Sequence, residues 1–445
     1  MKTSKKLTVC IKVGSSSIID EHTHEPILPI LSLIVDTAIT LRRDGHRVVI
    51  VSSGAIAVGL QRMKLPRRPK QLSQTQAVAA IGQCRLIAIW DMLFGYMNQP
   101  VAQILITRND IADRSQYLNA QNTLREVLDY GVIPIVNEND SLSVSEIKFG
   151  DNDTLSAIAA AMVHADYLFL MTDVDALYDK NPRIYPDAKP IELVKDIDAL
   201  EADVSSKGSA LGTGGMATKI TAARLAMSAG TTTIITKSSK PGNVKDIINY
   251  LHPKPSEDTA NGVQPATSPR VPLHTRFVAS SAPIRDRAFW ILHGLAPHGT
   301  IYIDRGAAHA LLTKAGLLPV GIVEVSGNFA QQEAVRLVVV DKSSLGPLSS
   351  IPHDDAGRKA FLSALTTGEE IGRAVVNYSA DQVAQIKGLR STEIARILGY
   401  ADSEYVAFRE NVSLNSDFSK SRPETPTARG SRTPDQSIAD LRISS

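Results

Sequence analysis

Six short, almost uncharged apolar runs alternate with helical patterns across residues 6–252, and that rhythm limits the chain to very few architectures. The runs are LTVCIKV (7–13), RVVIVS (47–52), PVAQILI (100–106), VIPIV (132–136), YLFLMT (167–172) and TTTIIT (231–236). Each is short and rich in β-branched residues, as a strand covered on both faces has to be. Helical patterns fall between them at 28–43, 73–97, 115–130, 151–165 and 216–229. Strand and helix in alternation predict an α/β fold, a mainly parallel sheet sandwiched by helices. In such sheets ligands bind beyond the carboxyl ends of the strands. The polar loops that follow the runs are therefore the places to look for chemistry.

Composition excludes several classes. A net charge of +2 gives no bulk electrostatic pull toward nucleic acid or an anionic membrane. Two cysteines, Cys10 and Cys84, lie in apolar stretches and predict a reducing compartment rather than a disulfide scaffold. The opening MKTSKKLTVCIKVGSSS is basic and then apolar, but Lys12 interrupts the run before it reaches the length of a signal peptide. No run comes near the roughly 18 apolar residues of a membrane span. A cytoplasmic protein with no membrane partner, starting directly on a strand, is expected.

The chain divides unevenly. Residues 1–252 form the first expected domain, and 253–297 a linker and connecting segment whose first part, 253–274, is rich in proline. A smaller β-rich unit follows over 298–412, marked by GTIYIDRGAAHAL, LLPVGIVEVSGNF and AVRLVVVD and interrupted by a polar insertion at 342–367. The tail, 413–445, is too polar and proline-rich to pack and is expected to be disordered. No internal repeat is visible.

The loops carry the chemistry. The first run ends IKVGSSS, with Lys12 inside the strand. A lysine there usually reaches solvent, because an unpaired buried ammonium is costly. The second ends VSSGAIAVG, where Ser53 and Gly54 enter a helix, as a plain N-cap or as backbone donors for an anion. The fourth ends VNENDSLS, and its Asn137, Glu138, Asn139 and Asp140 offer acceptors suited to an ammonium group. Then IKFGDND places Asp151, Asn152 and Asp153 at a helix start. They either complement the helix dipole, form a cation site, or orient lysines. The fifth ends TDVDALY, with Thr172 and Asp173 where a nucleotide could lie. Finally GTGGMATK brings Thr213, Gly214, Gly215 and Met216 ahead of Lys219. It is not the common phosphate loop, which places lysine directly after glycine. It suits instead a phosphoryl group held between two lysines, Lys12 and Lys219, since phosphoryl transfer is largely positioning and charge stabilisation.

Taken in order, IKVGSSS, VSSGAIAVG, NENDSL, IKFGDND, TDVDALY, NPR and GTGGMATK resemble the amino acid kinase family, most closely its glutamate 5-kinase branch; the helix TQAVAAIGQCRLIAIWDMLF is similar too. The likeness covers about 6–252. It implies transfer of the ATP γ-phosphoryl group to L-glutamate, with Mg2+, giving L-glutamyl 5-phosphate for proline biosynthesis. By the same resemblance Lys12 and Lys219 stabilise the transferring group, and Asp153, with Asp151 as alternative, holds them. Ser53, Gly54, Asp140, Asp151 and Asn152 bind glutamate. Lys12, Thr172, Asp173 and the stretch Thr213, Gly214, Gly215, Met216 to Lys219 bind ATP. The second unit resembles the PUA domain, which often binds RNA; no basic or aromatic stripe demands that here, and a structural or regulatory role is favoured.

No strong base is required, because a carboxylate nucleophile is already ionised above pH ~4.3. The ten histidines show no ligand spacing, so no protein metal site is expected. Two rival readings stay open: a kinase of another acidic amino acid such as aspartate or N-acetylglutamate, and an RNA-binding protein on a kinase fold. L-Proline, which shares the ammonium and carboxylate of glutamate, is expected to compete with it, and a homo-oligomer, dimer or tetramer, is expected from the resemblance.

Overall fold

In the computed structural model the described residues are 5–142, 152–197, 199–200, 215–253, 271–284, 286–341, 368–401, 403–415 and 418. Strands β1 (Thr8–Val13), β2 (Arg47–Ser52), β3 (Val101–Ile106), β4 (Ile133–Glu138) and β5 (Tyr167–Thr172) form the expected parallel core. Two short strands, β6 (Leu177–Tyr178) and β7 (Pro190–Ile191), pair with each other. The large sheet is completed by β8 (Leu193–Val194), β9 (Thr232–Lys237) and β10 (Thr275–Phe277), in the order β3-β4-β2-β1-β5-β9-β10-β8. The six expected runs are thus strands, with ends within two residues of those read from the sequence.

Helices α1 (Ser15–Ile18), α2 (Leu28–Arg43), α3 (Ala55–Arg62), α4 (Leu72–Gly95), α5 (Arg108–Ala112), α6 (Arg114–Asp129), α7 (Asn152–Met162), α8 (Met216–Ser228) and α9 (Asn243–Leu251) cover the two faces. The division follows the strands' period of two. Cys10 and Lys12 of β1, Val49 and Val51 of β2, and Leu168 and Leu170 of β5 face α5–α8; Val9, Ile11, Val48, Ile50 and Phe169 face α2–α4 and α9. Each face therefore has its own dry core, and Lys12 is a charge embedded in one of them.

Helices α3 and α4 touch backbone to backbone. A Cβ on Gly82 would lie 1.8 Å from the Ala55 carbonyl oxygen, and one on Gly59 2.0 Å from that of Val78, so neither position admits a side chain. Helix α4 corrects the membrane reading in one respect: it is long and apolar enough to cross a bilayer by length and composition. Here Val78, Ala79, Leu86, Ile89, Trp90 and Phe94 are buried on its inner side.

The expected connecting segment 253–297 contributes β10 to the first sheet, antiparallel to β9 and parallel to β8. It also forms α10 (Asp286–Phe289), which runs into a π-helical turn, Trp290–Gly294. Phe289, Trp290 and Ile291 pack into the first unit's core. The second unit is a mixed sheet of β11 (Gly299–Ile303), β12 (Ile322–Gly327), β13 (Ala334–Val339), β14 (Glu369–Val375) and β15 (Val412–Leu414), ordered β12-β11-β13-β14-β15. Its own core includes Ile301, Leu311, Leu337, Ile371 and Tyr378. Strand β15 carries Ser413 and Leu414, so order runs past the expected start of the tail; the insertion 342–367 lies outside the described residues, as do 416–417 and 419–445.

Candidate active site

Strand order locates the site. The chain leaves β1 for β2 on one side and returns to β5 on the other, so the connections diverge at the carboxyl end of β1. Such a switch point opens a crevice for ligands, and Lys12 sits one residue from the end of that strand, opposite Val51 and Leu170.

Lys12 does not reach solvent. It is 5% exposed, and its Nζ lies 2.5 Å from Oδ1 of Asp153, which is 0% exposed at the start of α7. Lys219, 7% exposed in the first turn of α8, donates to the other carboxylate oxygen, Oδ2, at 3.2 Å. The Thr218 hydroxyl donates to the same oxygen at 2.7 Å. Two buried ammonium groups thus share one buried carboxylate. Burial alone would raise the Asp153 pKa, but Lys12 and Lys219 outweigh it and hold the carboxyl at about 2. Both ammonium groups are thereby fixed beside the carboxyl end of β1. Among the expected alternatives for this role, Asp153 holds both lysines; Asp151 lies outside the described residues.

A second set of polar groups adjoins it through Asn152. Its Nδ2 donates to Ser53 Oγ at 2.8 Å and to Asn137 Oδ1 at 2.9 Å, while its Oδ1 is buried with no hydrogen-bond partner among the described residues. Asn137 Nδ2 donates in turn to Gln83 Oε1 of α4 at 2.8 Å. Ser52 Oγ accepts from Trp90 Nε1 at 3.1 Å. Ser53 accepts that bond just before Gly54, which turns the chain into α3 with a φ of +112°. Asn137 had been grouped with Glu138, Asn139 and Asp140 as ammonium acceptors; its amide oxygen is instead used by Asn152 and by the Glu138 backbone N–H. Asp140 is half-buried past the end of β4.

The remaining expected residues lie at the neighbouring strand end. Thr172 is buried and donates to Asp173 Oδ1 at 3.0 Å; Asp173 is exposed and ion-paired with Arg183 of the NPR motif. Lys237 at the end of β9 pairs with Asp175 at 3.1 Å. Gly215 caps α8, its N–H donating to Thr218 Oγ1 at 3.0 Å, and Met216 is the first helical residue. Thr213 and Gly214 lie outside the described residues. Sequence reasoning missed Thr218, Gln83 and Trp90. Thr218 sat inside the quoted GTGGMATK and was signalled only by adjacency to Lys219. Among the described residues no group of three or more histidine, cysteine, aspartate or glutamate side chains forms a metal cage.

Comparison with known proteins finds two family profiles and long relatives. The profile of the amino acid kinase family matches residues 7–237, and that of the PUA domain matches 299–398. A probable glutamate 5-kinase of Schizosaccharomyces pombe is 53% identical over 416 residues, 93% of this chain and 94% of that protein. An uncharacterized protein of Saccharomyces cerevisiae is 47% identical, covering 93% of this chain and 100% of its own length. A glutamate 5-kinase of a Cyanothece species is 44% identical, over 92% and 99% respectively.

Proposed function

The chain belongs to the amino acid kinase family, and on that premise we propose that it transfers the γ-phosphoryl group of ATP to the γ-carboxylate of L-glutamate. The product is L-glutamyl 5-phosphate, which opens proline biosynthesis. The observation that carries this reading is the pair of buried lysines on one buried carboxylate at the switch point of the sheet.

A glutamate carboxylate oxygen attacks the γ-phosphorus, the bond from phosphorus to the β,γ-bridging oxygen breaks, and its electron pair leaves on ADP. No proton moves, so no base is needed, in keeping with a site that holds lysines, an aspartate and amides. Lys12 and Lys219 stand where negative charge spreads over the transferring group, and Asp153 keeps them apart and fixed. Asp153 holds both ammonium groups before substrate arrives, so their placement costs little reorganisation during transfer.

Asn152 presents a buried, unpartnered amide oxygen suited to an ammonium hydrogen, and Ser53 a hydroxyl suited to a carboxylate. With Gly54, Asp140 and Asp151 these residues form the glutamate subsite. Thr172 and Asp173 take the nucleotide. Thr213, Gly214, Gly215 and Met216 line the phosphates ahead of the α8 N-terminus, which favours anions. Magnesium accompanying ATP would supply further neutralisation of the triphosphate charge beside the two lysines.

L-Proline competes at the glutamate subsite. A homo-oligomer uses the outer face of α4, where Met92 is 45% exposed and Cys84 is exposed on a helix with few charges. The protein works in the cytosol, and the PUA unit serves the enzyme rather than RNA. Turnover of ATP with L-glutamate, L-aspartate and N-acetylglutamate, trapping acyl phosphate with hydroxylamine, tests the reaction. Hydroxamate from glutamate alone is expected; hydroxamate from aspartate instead would replace the substrate, and none from any would overturn the reading.

A further inference from the structure

The geometry points to a positioning role in the kinase reaction for Trp290, on the segment that joins the two units. This inference rests on the glutamate reading above and concerns the same subsite.

Trp290 is buried in the first unit although it leads into the second. Its indole N–H donates to the backbone oxygen of Ile111 at 3.0 Å. The Arg114 guanidinium lies over the same ring at 5.1 Å. Gly294 closes the π-helical turn against it: a Cβ there would lie 2.8 Å from Trp290 Cδ1 and 3.1 Å from the Ile111 oxygen. The indole is therefore gripped from three directions, and the grip falls on α5.

Helix α5 is short and starts directly from β3. Its cap, Thr107, exchanges bonds with Asp110, the Asp110 carboxylate accepting from Thr107 N–H at 2.6 Å. One residue earlier, the Ile106 oxygen accepts from the Asn139 N–H at 3.0 Å, and Ile106 lies opposite Glu138 in the sheet. Thus α5 and the Asn137–Asp140 turn hang from the same strand ends. Asn137 is the residue that orients Asn152. Trp290 touches none of the reacting atoms; it acts through α5 on the turn that frames glutamate.

The other end of the grip is fastened to the second unit. Arg373 of β14 donates to the Leu295 oxygen at 2.8 Å, and Arg287 donates to Asn411, just before β15, at 2.5 Å. The second sheet thereby holds the π-helical turn, which holds α5, which supports the glutamate turn. A hydrogen bond to a charged group is worth on the order of tenfold in affinity, so loosening the turn that holds such groups shows in glutamate affinity.

The test compares Trp290→Phe, Trp290→Ala and Gly294→Ala in the full chain, measuring kcat and separate KM values for glutamate and ATP by hydroxamate formation. Gly294→Ala leaves the tryptophan in place and wedges its contact apart, so it serves even where Trp290→Ala folds poorly. The expected result is a KM for glutamate raised about tenfold in Trp290→Ala and Gly294→Ala, and less in Trp290→Phe, which keeps a ring and loses the N–H. kcat and the KM for ATP should stay within about twofold. A tryptophan that merely stabilises the fold would lower the active fraction, hence apparent kcat, and leave both KM values alone; that outcome, or parallel rises in both KM values, overturns the positioning role. Wild-type protein inactive on glutamate but active on another acidic amino acid would sink the substrate reading alone, and the same comparison would then be made with that acid.

Discussion

Replacing Asp153 by asparagine keeps the shape of the side chain and removes the buried charge that Lys12 and Lys219 share. The magnitude follows from the contacts. At an effective dielectric of about 20, charges 2.5 and 3.2 Å apart attract by about 7 and about 5 kcal/mol, before desolvation is subtracted. Breaking a buried pair leaves an uncompensated charge and costs about 3–5 kcal/mol net. An exposed pair would cost no more than about 1 kcal/mol, so the stability change itself distinguishes a buried keystone from a surface contact. Asp153→Asn is therefore expected to lose at least about 3 kcal/mol in urea unfolding, because two buried ammonium groups then face each other. It is also expected to lose about a hundredfold or more in kcat, because the lysines no longer hold their places. The decisive arm is the double variant Asp153→Asn/Lys219→Met. Removing one ammonium relieves the repulsion, so stability should partly return while activity should not. An Asp153→Asn protein within about 1 kcal/mol of wild type, or a double variant no more stable than the single, would refute the reasoning.

Three further outcomes are expected. Lys219→Ala should lower kcat more than it raises the KM for glutamate in the hydroxamate assay, as for a transition-state contact; a pure KM effect would remove it from that role. The Asp153 carboxyl is held at about 2 against an ordinary 3.8, so its stabilisation is complete above about pH 4 and fades as pH falls toward 2; thermal midpoints across that window should drop in wild type by an amount worth about 2 kcal/mol that Asp153→Asn lacks. Gly82→Ala places a methyl 1.8 Å from the Ala55 oxygen and should cost several kcal/mol or abolish folding, whereas Gly95→Ala on the same helix, where a Cβ meets nothing within 4 Å, should be stabilising or neutral by calorimetry.

The long strands were legible because both their faces are dry, which forces uninterrupted apolar runs such as RVVIVS and YLFLMT. The edges were not. β8, β10 and β15 have two or three residues each, too few for any period, and β10 follows a proline-rich stretch. The loop chemistry paired Lys12 with Lys219, but a spacing of many tens of residues encodes no geometry, and only the resemblance assigned Asp153 to both. The Asn152–Asn137–Gln83 relay was invisible for a different reason. A chain of amides across a helix start, a strand end and another helix leaves no pattern along the sequence. Trp290 likewise looked like one more apolar residue in AFWIL, and its partner Ile111 lies 179 positions away.

The backbone contact of α3 with α4 gives the molecule an anvil. Two helices locked at Gly59 and Gly82 can neither slide nor roll past one another, because every such motion drives a carbonyl oxygen into a neighbouring main chain. Ser53 lies one residue before the Gly54 cap of one of these helices and Gln83 lies in the other, so both side chains stand on a tightly packed pair. On the opposite side, α8 fastens Thr218 and Lys219 to Asp153 of α7 through side-chain hydrogen bonds. On the proposed glutamate reading, the backbone-locked helices stand on the acceptor's side of the crevice.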